Sequence, residues 1–308
     1  MNTPMFEGVI TPMITPLIDR NTIDFEGQKR MLDHLINGGI SGVFLMGTTG
    51  EGASLSYKMR KELISFTVNH VNGRVPVFVG ITDCCIEEAL GVAAHAKECG
   101  ANYLVSALPF YLGLTQDEIY DYFVTIADNV ELPLYLYNIP AQTKLTMSVP
   151  VIKKLASHPN ILGIKDSSGN GTYYNTILAE LKGEFPDFSV FVGPDEMLAS
   201  TMAMGGNGGV NSGSNLFPEL YMALFKACKE NDKERILKLQ RLVMKVSTDL
   251  YSIDKSSVSF LKGLKAALYC EGLITDCLCA PLKRVSEEDM ETIRKNLAAL
   301  KQEIAETL

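Results

Sequence analysis

Eight short apolar segments rich in β-branched and aromatic residues recur along the chain, and stretches with helical periodicity separate them. The predicted strands span residues 8–12, 42–46, 76–80, 102–106, 133–138, 161–166, 189–193 and 208–213. Most are almost continuously apolar, which is typical of parallel strands buried on both faces. Because strand and helix alternate eight times, the sequence predicts an α/β fold, a (β/α)8 TIM barrel, over residues 1–230.

An open, doubly wound sheet is the main alternative to a barrel. No GxGxxG follows the first predicted strand, and no GxxxxGK occurs in the chain, so the usual nucleotide-binding motifs of such sheets are missing. The last part of the chain, residues 231–308, has a different pattern. Its amphipathic stretches at 233–252, 257–272 and 286–308 predict a helical C-terminal region that packs on the barrel.

Charge and hydropathy narrow the class of ligand. The net charge of -8 and the pI near 5.2 disfavour nucleic acid and anionic membranes, which both require clustered Lys and Arg. No segment has the roughly 18 apolar residues that a membrane span needs, and no signal peptide is recognisable at the start. The sequence therefore predicts a cytoplasmic protein that binds a small molecule.

Metal chemistry is not expected from the distribution of His and Cys. The four His residues show no HExxH or other metal-binding spacing, and the seven Cys residues form no CxxC pair. We interpret the cysteines as reduced thiols, mostly in the core. The sequence thus predicts neither a metal site nor a cofactor.

The sixth predicted strand ends in a lysine, which an apolar strand does not need for folding. Active sites of (β/α)8 barrels lie at the C-terminal ends of the strands, where Lys165 is expected. Burial there disfavours the charged form and leaves a neutral amine that can attack a carbonyl to form a Schiff base. The alternative is a lysine that extends to the rim or pairs with Asp166.

Other polar residues also follow predicted strands. Tyr137 ends the fifth strand and either transfers protons or only fills the barrel. The motif GTTGE (47–51) follows the second strand and is either a receptor for a carboxylate or an ordinary turn. We also interpret GGNGG (205–209) as a contact for a neutral polyhydroxy ligand, since the nearby GPDE (193–196) would repel phosphate.

Taken together, six motifs in barrel order carry a family resemblance. They are GVITPMITP, GTTGE, PFY, LYNIPA, GIKDSSG and GPDE. With them the chain resembles the dihydrodipicolinate synthase and N-acetylneuraminate lyase family over nearly its whole length. The resemblance implies a (β/α)8 barrel with a helical C-terminal region, and an enzyme that joins a lysine to pyruvate or another 2-oxo acid as a Schiff base.

The resemblance also implies roles for individual residues. Lys165 would be the nucleophile and Tyr137 the general acid/base, and Thr48 and Tyr111 would complete a proton relay, Tyr111 entering from a neighbouring subunit. Thr48 and Thr49 would bind the carboxylate. The residues expected to contact substrate are Thr49, Gly193, Asp195, Glu196, Val210 and Ser212. Family members are commonly tetramers built as dimers of dimers, so a homotetramer is implied.

One sequence position narrows the choice of the second substrate, the one used besides pyruvate. The synthase branch has an arginine two residues after the proline of its YN(V/I)P motif, where this chain has Gln142, and a neutral amide cannot form the bidentate pair with a carboxylate. We therefore expect an aldolase for a 2-keto-3-deoxy sugar acid of the N-acetylneuraminate or 2-keto-3-deoxygluconate type. The alternatives are the synthase, a sugar-acid dehydratase and a catalytically silent sugar-acid-binding protein.

Overall fold

The computed structural model describes residues 5–308, and its eight main strands form a closed parallel barrel. The strands are β1 (Gly8–Pro12), β2 (Gly42–Leu45), β3 (Val77–Gly80), β4 (Tyr103–Ala107), β5 (Leu134–Asn138), β6 (Ile161–Asp166), β7 (Ser189–Val192) and β8 (Gly208–Gly209). Each strand pairs with the next along the chain, and β8 closes on β1. The predicted barrel is confirmed. The eighth strand is shorter than predicted because residues after Gly209 turn into a 3-10 helix at Ser212–Asn215.

Alternation along the strands sorts the apolar side chains into two layers. In β2, Phe44 points into the barrel, while Val43 and Leu45 point outward to the helices. Aromatic rings dominate the interior, and the rings of Phe78 and Tyr135 lie 5.5 Å apart in an edge-to-face arrangement. The barrel interior is therefore a packed apolar column rather than a pore.

Within residues 5–230, nine α-helices connect the strands or follow the last one. They are α1 (Phe25–Asn37), α2 (Tyr57–Val71), α3 (Ile86–Cys99), α4 (Gln116–Asn129), α5 (Pro140–Thr143), α6 (Val149–Ala156), α7 (Gly171–Leu181), α8 (Leu198–Ala203) and α9 (Pro218–Glu230). A small hairpin of Leu17–Asp19 and Thr22–Ile23 precedes α1. Local sequence explains several ends. Thr115 and Glu118 form a capping box at the start of α4, and Asn72 ends α2 in the left-handed conformation.

Three helices occupy the C-terminal part of the chain, as the periodicity predicted. They are α10 (Lys233–Leu250), α11 (Ser259–Cys270) and α12 (Glu287–Thr307). Helix α10 packs against α9, α12 and the 3-10 turn at Asp195–Met197, which follows β7. The boundary at residue 230 between barrel and helical region stays a prediction. Within residues 5–308, no helix has both the length and the apolar character needed to cross a bilayer.

Candidate active site

Lys165 and Tyr137 lie side by side at the C-terminal end of the barrel. Strands β5 and β6 pair in parallel with Tyr137 opposite Lys165, so both side chains point into the interior. The Lys165 Nζ lies 4.1 Å from the centroid of the Tyr137 ring and 5.5 Å from that of Phe44. Lys165 is only 7% exposed. Strand register thus places an amine on the top layer of the apolar column.

The space beneath this amine is apolar. A void of about 10 Å³ lies there. Besides Lys165, the residues around it are Ile10, Phe44, Phe78, Val105, Tyr135, Phe191 and Val210. Hydrocarbon and aromatic rings therefore replace the water that would otherwise solvate the amine on this side.

Asp166 does not pair with the amine, although it is the next residue. It faces the opposite side of β6 and accepts hydrogen bonds from Asn138 Nδ2 and Ser168 Oγ, both at 2.8 Å. Burial raises the pKa of this carboxyl, and the two hydrogen bonds oppose that shift. The alternative in which Lys165 serves as a partner for Asp166 therefore does not describe the folded chain.

A row of hydroxyl groups extends from Tyr137 across the barrel mouth. The Tyr137 hydroxyl lies 3.3 Å from Thr48 Oγ1, and Thr49 Oγ1 lies 2.9 Å from Ser212 Oγ. Thr48 and Thr49 come from the loop after β2, and Ser212 comes from the 3-10 helix after β8. The fold thus brings Lys165, Tyr137 and these three hydroxyls to one end of the barrel, as the motif order predicted.

A cavity of about 320 Å³ opens beside the Tyr137–Thr48 contact. Its polar lining includes Thr48, Tyr137 and Gln142, and part of its outer wall is formed by Val258, Leu261 and Leu282. These three apolar residues were missed by sequence analysis. No local signal marks Val258 and Leu261, because an apolar residue of an amphipathic stretch is equally suited to a core position, and Leu282 lies in the segment between α11 and α12.

Tyr111 is not part of this row in a single chain. It lies between β4 and α4 and is 86% exposed. Its neighbours Phe110 and Leu112 are also exposed, at 47% and 69%. The proton relay through Tyr111 therefore stays a prediction that requires a second copy of the chain.

The Asp195 carboxylate accepts hydrogen bonds from four groups of the protein itself. Its two carboxylate oxygens accept hydrogen bonds from the backbone amides of Ser212 and Gly213, both at 2.9 Å, from the Tyr221 hydroxyl at 2.6 Å and from the Tyr251 hydroxyl at 3.0 Å. Burial raises the pKa of Asp195 to about 6 despite these bonds. Asp195 therefore fixes the loop that carries Ser212, and its expected contact with a substrate stays a prediction.

The remaining predicted substrate contacts lie around the same end of the barrel. Glu196 is exposed and accepts a hydrogen bond from Ser247. Gly193 lies against the lysine, since a Cβ at this position would be 3.3 Å from Lys165 Cε and 1.9 Å from Ser167 Oγ. Val210 is buried in the barrel interior below the amine.

The interpretation of GGNGG (205–209) as a ligand contact is wrong. Gly208–Gly209 forms β8 itself, so the preceding glycines lie at the N-terminal end of the barrel. Asn207 there bonds to Lys182 Nζ and to the amide of Val190, with 2.7 and 2.8 Å between donor and acceptor. Since parallel strands run in one direction, this segment lies at the end opposite Lys165.

Comparison with known proteins identifies the family. The model of the dihydrodipicolinate synthetase family matches residues 5–300. The chain belongs to this family. As its members are class I aldolases and lyases that use pyruvate, the chain is an enzyme of that class.

Several relatives of this dihydrodipicolinate synthetase family member resemble it over their whole length. A probable 2-dehydro-3-deoxy-D-pentonate aldolase, YjhH of Escherichia coli K12, is 32% identical to this chain. The match covers 96% of this chain and 97% of YjhH. The structure of dihydrodipicolinate synthase from Bacteroides thetaiotaomicron has a TM-score of 0.93 and 40% identity, with coverage of 97% of this chain and 100% of that one. Escherichia coli YagE in complex with pyruvate has a TM-score of 0.91 and 29% identity, with coverage of 96% and 99%.

The buried Asp195 carboxyl predicts an unusual dependence of stability on pH. Its pKa is about 6 in the folded chain, against an ordinary value of 3.8, so the folded state binds more protons between these values. Stability from this group therefore falls as the pH rises from about 4 to about 6. We expect the free energy of unfolding of the wild type minus that of Asp195→Asn to fall by about 3 kcal/mol between about pH 4 and about pH 7. Urea unfolding across this range measures it.

Asp254→Asn is the matched control for this pH series. The Lys262 ammonium lowers the pKa of Asp254 to about 2, so its stabilising contribution is lost only below the chosen range. The difference between wild type and Asp254→Asn should stay nearly constant over the series. A constant difference for Asp195→Asn as well would contradict the assignment of a raised pKa to Asp195.

Proposed function

We propose that this enzyme is an aldolase that cleaves or forms a 2-keto-3-deoxy sugar acid through a Schiff base on Lys165. The observation that carries the proposal is the Lys165 Nζ at 4.1 Å from the Tyr137 ring, with the Tyr137 hydroxyl next to Thr48. An amine and a phenol thus lie side by side above apolar side chains. This is the arrangement that covalent catalysis on a carbonyl requires.

The proposed cleavage uses only groups of this chain. The amine of Lys165 attacks the C2 ketone of the 2-oxo acid, and Tyr137 donates its hydroxyl proton to the resulting carbinolamine, so that water leaves and an iminium remains. The Tyr137 phenolate then takes the proton of the C4 hydroxyl as the C3–C4 bond breaks, and the electron pair of that bond moves into the iminium. An aldehyde leaves, and the remaining enamine takes a proton at C3 before water releases pyruvate and restores the amine.

The hydroxyls of Thr48 and Thr49 and the amides of their loop are proposed to bind the carboxylate of pyruvate. Thr49 is buried, and a hydrogen bond with Ser212 holds its hydroxyl in place. Donors held in place before the substrate arrives need no reorganisation when charge builds up in the reaction. They also hold C2 next to the amine, which lowers the entropic part of the barrier.

The residues that line the cavity favour a substrate whose part beyond the pyruvate unit is uncharged. Among the described residues that line it, the charged side chain is Glu51, which is already paired with Lys265, and no arginine or lysine is present. Gln142 presents an amide where a carboxylate-binding arginine would be needed for aspartate semialdehyde. Amide and hydroxyl groups match the hydroxyls of a sugar acid better than a second carboxylate.

Trapping with borohydride tests the covalent step. We expect pyruvate and borohydride to add a reduced pyruvyl group to Lys165, because the reduction makes the Schiff base permanent. Intact mass and peptide mapping measure the adduct. Lys165→Met should remain unlabelled, whereas Tyr137→Phe should still be labelled but lose roughly 10²- to 10⁴-fold in kcat.

Lys182 is an internal control for this trapping experiment. It is also a partly buried lysine whose pKa is lowered by burial, but it lies at the opposite end of the barrel beside Asn207. Labelling of Lys182 as strongly as Lys165 would show a general reaction of buried lysines. Absence of any adduct on Lys165 would overturn the proposal.

The alternative with specific support is the synthase, because a solved structure described as dihydrodipicolinate synthase is 40% identical. Gln142→Arg separates the two. We expect the wild type to release pyruvate from 2-keto-3-deoxy acids, and the variant to lose this activity while gaining roughly 10- to 100-fold in kcat/KM for aspartate semialdehyde, since a charged hydrogen bond contributes about 1.5–3 kcal/mol.

Gln302→Arg is the matched control, since it adds the same charge on the exposed face of α12. It should leave both activities unchanged. Efficient condensation of aspartate semialdehyde by the wild type would favour the synthase instead. The mass of the product also separates a dehydratase, which keeps the carbon chain whole, from an aldolase.

A further inference from the structure

A fully buried ion pair connects the GTTGE loop to the C-terminal helices. Glu51 ends the motif, and Lys265 lies in α11; their side chains are 2% and 1% exposed. The second carboxylate oxygen of Glu51 accepts a hydrogen bond from the Cys279 amide at 2.7 Å. Lys265 Nζ also donates to the Cys277 carbonyl at 2.7 Å. Three distant segments of the chain therefore meet at this pair.

Stability alone does not account for this pair. Removing two charges from water costs several kcal/mol each, and well-packed apolar residues of similar volume usually give equal or greater stability. In α11 Lys265 is flanked by the buried apolar residues Leu264 and Ala266, so the two charges lie in a part of the core where charge is costly. The pair instead fixes geometry, because an ion pair with additional hydrogen bonds is satisfied in only one arrangement.

The loop that Glu51 ends needs such an anchor. Met46 and Glu51 both adopt left-handed conformations, with φ of 58° and 54°, which cost energy in residues other than glycine. The loop then folds tightly on itself, with the Glu51 amide bonded to the Thr48 carbonyl at 3.1 Å. At Gly52 a Cβ would lie 2.1 Å from the Met46 carbonyl oxygen. A loop of this shape persists only where its surroundings hold it.

The same loop carries the two threonines of the site. Thr48 and Thr49 come three and two residues before Glu51, and they contact Tyr137 and Ser212. A displacement of Glu51 would also displace the Thr48 and Thr49 hydroxyls, because only a few covalent bonds separate them from it. Thr15 Oγ1 also donates a hydrogen bond to the Gly50 carbonyl at 2.7 Å, so the loop is anchored at both Gly50 and Glu51.

We infer that Lys265 is a positioning residue: through Glu51 it holds Thr48 and Thr49 where they meet the substrate carboxylate and the Tyr137 hydroxyl. This inference rests on the proposed function for its catalytic consequence. The C-terminal helix α11 thereby sets the geometry of a loop at the barrel mouth. Neither Lys265 nor Glu51 touches the reacting atoms in this account.

The double variant Glu51→Gln with Lys265→Met tests the inference. Lys265→Met alone leaves a buried unpaired carboxylate and should lower the melting temperature, whereas the double variant removes both charges and should restore it. We expect the restored double variant to lose about tenfold or more in kcat per trapped active site and to show a higher KM for pyruvate, because its threonines are displaced. Hydrogen exchange of the backbone amides in residues 46–52 should also become faster.

The matched control removes another ion pair of the C-terminal helices, through Glu271→Gln with Lys301→Met. These side chains are 27% and 51% exposed and lie 2.6 Å apart. The control should keep wild-type kinetics and wild-type exchange in residues 46–52. Wild-type kinetics per trapped site and unchanged exchange in the Glu51/Lys265 double variant would overturn the inference. If pyruvate fails to label the wild type, the proposed function is wrong, and the exchange result still decides whether Lys265 anchors the loop.

Discussion

The whole arrangement depends on one amine held at the top of an apolar barrel. Parallel register between β5 and β6 puts Lys165 beside Tyr137, and alternation along β6 turns Asp166 to the other face. The amine therefore meets aromatic faces on its inner side and a row of hydroxyls above. A shift of one residue in this register would send Lys165 outward and Asp166 inward, which would exchange an amine for a carboxyl group in the barrel interior.

The hydroxyl row is held from two sides by residues of the C-terminal helices. On one side Lys265 holds Glu51, and so the loop of Thr48 and Thr49. On the other side the hydroxyl of Tyr251 contacts Asp195, whose carboxylate holds the amide of Ser212. The hydrogen bond between Thr49 and Ser212 connects these two sets of contacts. The helices after the barrel thus contribute to the geometry of its mouth as well as to the cavity wall.

Much of this could be predicted from the sequence because it follows from local patterns. Apolar segments at regular spacing gave the barrel, and a lysine and a tyrosine at the ends of neighbouring strands had to meet at one end of it. Motif order similarly placed Thr48 and Thr49 near them. These inferences need only strand periodicity and the common direction of the strands.

Contacts between distant segments could not be predicted in this way. Nothing near Lys265 in the sequence shows that its partner is Glu51, because burial of a lysine depends on how α11 packs on the barrel. The four donors around Asp195 come from three segments outside its own motif, so the sequence pattern and the family resemblance indicated only a substrate contact. The GGNGG segment was assigned to the wrong end because the start of β8 has no apolar side chain to mark it.

A crystal soaked with pyruvate tests the central claim most directly. The account predicts continuous electron density from Lys165 Nζ to C2 of the bound pyruvate, with its carboxylate against Thr48 and Thr49. Pyruvate bound elsewhere, or a Lys165 amine turned to bulk solvent without attached density, would contradict it.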